Sequence, residues 1–209
     1  MTLEPIPQDG LPVDDMVGRV LRASTRGFSC GTHSARIDYR HDFGALVKAP
    51  IANDDRIFAV GVIYAVEIKD DLLISELVMA EAVDPNVLRD QRENRIIPVE
   101  ISVLNIGYQF DGGYVHSLPP RPPMSLSEVT LCSAQEVFDF TSQPDFFRLI
   151  LNASEVPSDD LLAAILRYAT GAYHADDRYG FLVRSGRQIA QLLSGDMKRL
   201  SSILALIRP

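Results

Sequence analysis

Tryptophan is missing from this chain, and cysteine occurs only twice in 209 residues. Cys30 and Cys132 lie far apart and form no C-x-x-C pair, so neither a disulfide framework nor a zinc site is signalled. A reducing cytoplasm is then the expected compartment. Positive charge is also short: 20 Lys and Arg stand against 28 Asp and Glu, a formal net charge of −8. That balance argues against broad, sequence-independent contact with phosphate backbones, which needs Lys and Arg gathered on one face. No apolar run approaches the roughly 18 residues of a membrane span. The opening "MTLEPIPQDGLPVDD" carries acid and proline where a signal peptide would carry basic and then apolar residues, so a soluble protein is expected. A Gly-rich phosphate loop is missing too. "VRSGRQ" and "LLSGDMKRLS" hold one glycine each, lack the phosphate-loop spacing, and read as helix breaks. No internal repeat is visible, which removes solenoids and propellers.

What is present up to Thr141 reads as strands. "MVGRVLRAST" ends in a polar turn at Ser24 to Gly27, and "FSCGT" and "ARIDY" follow as short strand-length pieces. "FGALVKAP" is a strand stopped by Pro50, and "IANDDR" a polar hairpin-like loop. "IFAVGVIYAVEI", Ile57 to Ile68, is almost wholly apolar and reads as a central strand buried on both faces or kinked at Gly61. "LLISELVMAE" leans to helix, and "VDPNVLRDQREN" to an exposed connection. In "IIPVEISVLNIGYQF", Val99, Ile101 and Val103 alternate with Glu100 and Ser102, the signature of a half-buried strand. Asp111 to Gly113 turn the chain, "YVHSL" returns as the partner, and "SEVTLCS" adds one more strand. Ser133 and Glu136 form a capping box that starts a helix.

After Thr141 the period becomes helical. Phe146, Phe147, Ile150 and Leu151 share one face; Ser158 is the expected N-cap of the next helix, with Leu161, Leu162, Ile165 and Leu166 as its stripe and Gly171 as its end. Two more amphipathic segments follow, broken at Gly195. The expected organisation is an N-terminal extension over 1–14, a β-barrel over 15–141 and a helical unit over 142–209. The fold class is mainly β, a small closed barrel followed by helices.

Candidate chemistry is sparse. "HADDR", His174 to Arg178, offers three possible ligands, but no second cluster stands at metal-site spacing, and a solvated loop is expected. Cys30 with His33 or His41 is the one pairing that could make a nucleophile, since a thiol needs a nearby base to ionise at neutral pH. A lone Cys within a β segment is more often a small core residue. Arg19, Arg22 and Arg26 could make a basic spot. "LPPRPP" is the most distinctive stretch: Pro119, Pro120, Pro122 and Pro123 hold an extended geometry, deny the backbone its donors and project Arg121. It reads first as a rigid crossover that lies over a surface and leads to Glu128; a pre-ordered arm for docking, with Arg121 meeting a carboxylate, is a second reading compatible with it.

Taken in order, "VGRVLRAST", "FGALVKA", "VGVIYAVEI" and "PVEISVLNIGY" followed by "LPPRPP" resemble the HAS barrel, the small β-barrel shared by HerA-type DNA translocases and the catalytic-ring subunits of rotary ATP synthases. The resemblance spans about residues 15–140 and lies closer to the HerA side, which matches the long stretch between the third and fourth motifs. In that family the barrel is a collar that holds a ring of subunits and, in HerA-like proteins, receives a NurA-type nuclease. HerA-like proteins continue into a phosphate-loop ATPase, whereas here a helical segment without a phosphate loop follows. The resemblance therefore implies assembly or docking, as a homo-oligomer or with a HerA/NurA-like partner in DNA processing. It implies no catalytic residue, cofactor or metal. Two other readings stay open: a barrel that binds single-stranded nucleic acid through Arg19, Arg22, Arg26 and Arg121, and an enzyme built on Cys30.

Overall fold

The computed structural model describes residues 15–51, 54–69 and 97–208. The extension over 1–14, the helix expected over 72–81 and the connection over 83–94 lie outside the described residues. Seven strands form one antiparallel sheet: β1 (Met16–Ala23), β2 (Gly27–His33), β3 (Leu46–Ile51), β4 (Asp54–Ile68), β5 (Pro98–Phe110), β6 (Gly113–Val115) and β7 (Glu128–Leu131). In the order β2-β1-β7-β3-β4-β5, with β2 paired back to β5, the six long-range neighbours close into a barrel, and β6 extends β5 as a hairpin. Closure joins segments distant in sequence, since Met16 faces Thr130 and Gly27 faces Leu104.

The alternation of β5 sets the two faces of the wall. Val99, Ile101 and Val103 point inward with Val17, Val20, Phe28, Cys30, Val47, Ile63 and Val129, and fill the barrel. Leu104 and Ile106 join a second cluster outside the wall, with Leu46, Val60, Val62 and Cys132. Two register shifts in the β4–β5 pairing, at Val60/Gly61 and Ile63/Ala65, bend the strand as the expected kink at Gly61 requires. A Cβ on Gly61 would meet Val103 Cγ1 at 2.4 Å, so only glycine fits under this crossing.

Among the described residues five helices build on that outer cluster: α1 (Ala134–Thr141), α2 (Phe147–Leu151), α3 (Ser158–Thr170), α4 (Ala175–Leu192) and α5 (Met197–Leu206). Ser133 and Glu136 form the expected capping box at α1. Glu136 also pairs with Lys48 of β3, which ties the helix start to the barrel. Aromatic packing continues the link, with the Phe140 ring 5.2 Å from Phe146 and 5.5 Å from Tyr114. Between α3 and the barrel the contact is close: Gly44 has φ +92°, and a Cβ there would meet Ala164 Cβ at 2.7 Å.

Several local expectations are corrected. "ARIDY" is not a strand but two 3-10 turns, Ser34–Arg36 and Tyr39–His41, because Asp38 accepts from the Arg40 amide and the buried His41 ring reaches back to accept from the Asp38 amide. Pro50 does not stop β3; it faces Phe58 within the strand, and its carbonyl accepts from Met124 N. Pro157, not Ser158, occupies the cap of α3, and the Ser158 hydroxyl accepts instead from Arg199 Nη2 at 2.7 Å. Gly171 does cap that helix, in a right-handed conformation. "VRSGRQ" lies within α4, where Gly186 lets Leu204 of α5 approach, whereas Gly195 does separate α4 from α5. "HADDR" is the start of α4, with Asp176 and Asp177 in the first turn, where the helix dipole favours them.

Candidate docking surface

The proline strap runs from the end of β6 to β7 over the end of the barrel where β3 turns into β4. Pro119 and Pro123 are buried against it, Pro122 is half-buried, and Pro120 and Arg121 face outward. Pro123 makes an isolated bridge with Ile51, so the strap is stitched to the edge of β3, where the sequence suggests only a crossover lying over a surface. Arg121 does meet a carboxylate, but within its own chain: Nη2 stands 3.8 Å from Asp54 Oδ2 at the β3–β4 hairpin. Both are partly solvated, and such a contact is worth little.

Beyond the prolines the strap docks on β1. Leu126 donates to Val20 O at 2.9 Å, and Val20 donates to Ser127 O at 3.0 Å. The Ser127 hydroxyl donates to Met124 O at 2.6 Å. Leu126 holds φ +64°, a left-handed conformation that is costly for a branched side chain, and its side chain is 70% exposed. Leu118, Met124 and Leu21 of β1 are exposed as well. A strap fixed so firmly thus presents apolar side chains to solvent along its course.

The three arginines do not form one basic spot. Arg19 pairs with Glu128 at 2.8 Å and donates to Leu126 O, so it belongs to the strap. Arg22 pairs with Glu100, and Arg26 with Glu155 at 3.0 Å. Arg22 and Arg26 do share an open groove of about 600 Å³, floored by Ser29, Ser102 and Tyr64 on the outer wall and bounded by Glu155 from the α2–α3 loop. Hydrogen bonds from Lys69, then from Ser29 and Arg22, hold the Glu100 carboxyl below its usual range against the opposing effect of burial. Each arginine thus faces a carboxylate, which sequence reading missed because Glu100, Glu128 and Glu155 are remote in the chain.

The thiol reading meets a different environment from the one it needs. Cys30 is fully buried inside the barrel, and burial, with the nearby Glu100, pushes its thiol up to about 12. Strand alternation puts Cys30 and His33 on opposite faces of β2. His41 is buried and used structurally, its Nε2 donating to Val17 O at 3.1 Å. Among the described residues, no group of three or more His, Cys, Asp or Glu side chains could hold a metal ion, and no helix is long and apolar enough to cross a membrane. Compared with known proteins, the chain matches no family model and no curated protein.

Proposed function

We propose that this protein is a non-catalytic assembly and docking module, of the kind the HAS-barrel resemblance implies, serving a HerA/NurA-like DNA-processing complex. The observation that carries the reading is the strap: a stretch pinned at Ile51, Val20 and Arg19 that nonetheless turns Leu118, Met124 and Leu126 outward. A segment whose only task was to connect β6 to β7 would gain from burying those side chains. Pre-ordering lowers the entropy lost on binding, so a stiff apolar strap suits a docking edge. The helices leave some apolar side chains outward as well, Tyr179 and Met197 among them, but the stripes of α1, α2 and α3 turn into the core they share with the outer wall of the barrel.

Light scattering of the full chain across a concentration series tests self-assembly. The expected result is a multimer that dissociates when Leu126 and Met124 are replaced by Ser. A monomer throughout sinks self-assembly; capture of a HerA-like ATPase or NurA-like nuclease by the wild type, lost in the same variant, then decides whether the strap docks a partner instead.

A further inference from the structure

Barrels remove sheet edges by closing, yet among the described residues one edge of β4 stays unpaired over part of its length. β3 pairs with β4 only from Leu46↔Val62 to Ile51↔Asp54, and its lead-in adds Gly44 and Ala45 bonded to Ile63. On its other side β4 stays paired with β5 as far as Ile68↔Val99. Among the described residues no strand pairs with the outer edge of β4 from Ala65 to Ile68. Val66 stands opposite Ile101 and Ile68 opposite Val99, so both lie on the inward face and prolong the barrel's apolar lining beyond its wall. They are 36% and 62% exposed.

Exposed edges in natural sheets are usually blunted by Pro, by Lys or by a bulge. Here the bulge falls before Ala65 and no Pro lies between Ala65 and Ile68; the one lysine, Lys69 at the end of the stretch, is turned to Glu67 and Glu100 of its own chain. The edge is also compatible with itself. On the outer face Glu67 is already neutralised by Lys69 of the same chain at 2.9 Å. An antiparallel pairing centred on Val66 sets Glu67 against Ala65 and Val66 against its own copy, so no like charges oppose each other, whereas a centre on Glu67 would oppose two carboxylates.

We propose that this edge pairs with the same edge of a second copy of the chain, antiparallel about a two-fold axis at Val66, so that one sheet continues through both barrels. The inference rests on the assembly part of the docking reading, but assigns it a surface separate from the strap. Two-fold symmetry lets one edge satisfy both partners, and each copy's Val66 then covers the other's.

The test is disulfide trapping in the full chain. Cys30 and Cys132 are buried and contribute no background. Under mild oxidation Val66→Cys is expected to form a covalent dimer at least about tenfold faster than Glu67→Cys, because residues facing each other across a two-fold antiparallel pair come within disulfide reach while the next positions do not. Equal rates, or no dimer from Val66→Cys, overturn the proposal. In light scattering, Val66→Lys is expected to give monomers with an unchanged circular dichroism spectrum. A multimer that survives Val66→Lys but dissociates in the strap variant removes the β4 edge and leaves the docking reading standing. A wild-type monomer at every concentration removes both the β4 pairing and self-assembly.

Discussion

At the scale of single residues, the strongest constraints come from positions that touch two layers. Gly44 combines a left-handed backbone with a close approach to α3, so Gly44→Ala is expected to cost about 3 kcal/mol, from strain together with overpacking, read as a lowered urea midpoint. Burial of Cys30 predicts that a thiol reagent leaves it unmodified in the native protein and modifies it at once in denaturant; fast native modification of Cys30 would revive the enzyme reading. His116 carries a pH dependence. Its Nε2 donates to Phe140 O at 3.0 Å, its ring lies against Phe140 and Phe146, and burial, aided by Arg148 and opposed by the Phe140 bond and Asp145, lowers its pKa. The unfolded chain therefore takes up a proton near the ordinary value of about 6.5 while the folded chain still resists it. Stability should be intact above that value and fall as pH drops through it. Urea midpoints at about pH 7.5 and 5.5 check this, and His116→Gln should flatten the difference.

At the scale of elements, α1 shows how one short signal organises a junction. Ser133 accepts from the Glu136 amide while Glu136 accepts from the Ser133 amide, and the same carboxylate holds Lys48 on β3. Ser133→Ala should cost about 1 kcal/mol of stability by chemical denaturation, the ordinary loss of an N-cap. This box was legible in the sequence because capping is local: its partners sit three residues apart. The faces of β5 were legible for a similar reason, since alternation of Val99, Ile101 and Val103 with Glu100 and Ser102 is a period-two pattern. The turns that replace the strand expected over 35–39 are shaped by a local box, Asp38 with Arg40 and His41, but the contact that anchors them to the barrel joins His41 to Val17, far away in the chain, and was not legible. Nor could periodicity show that Leu104 and Ile106 would be buried outside the wall, which depends on helices that come later. Among the candidate sites, the rigidity of "LPPRPP" could be read from proline chemistry alone. The carboxylates facing Arg19, Arg22 and Arg26, and the uncovered length of β4, arise only when strands distant in sequence are laid side by side.

At the scale of the whole molecule, the helices act as the second layer of a core rather than an appendage. Leu46, Val60, Val62, Leu104 and Ile106 on the outer wall share one cluster with Phe140, Phe146, Ile150, Leu161, Leu162 and Ile165. Removing residues 142–208 would uncover that wall, and the shortened chain is expected to bind a hydrophobic dye and aggregate, where the full chain does neither. The closure of the barrel also has a temporal side. Met16 to Arg19 pair with Glu128 to Thr130, so the first described strand, β1, finds its second neighbour only after the last described strand, β7, has been synthesised. Until then β1 must wait with its apolar residues uncovered, held at most by the local hairpin with β2, and the ring is sealed only once β7 is available. Contacts between such distant segments form slowly, so the barrel depends on how quickly β7 emerges from the ribosome and on what shelters the open ring meanwhile.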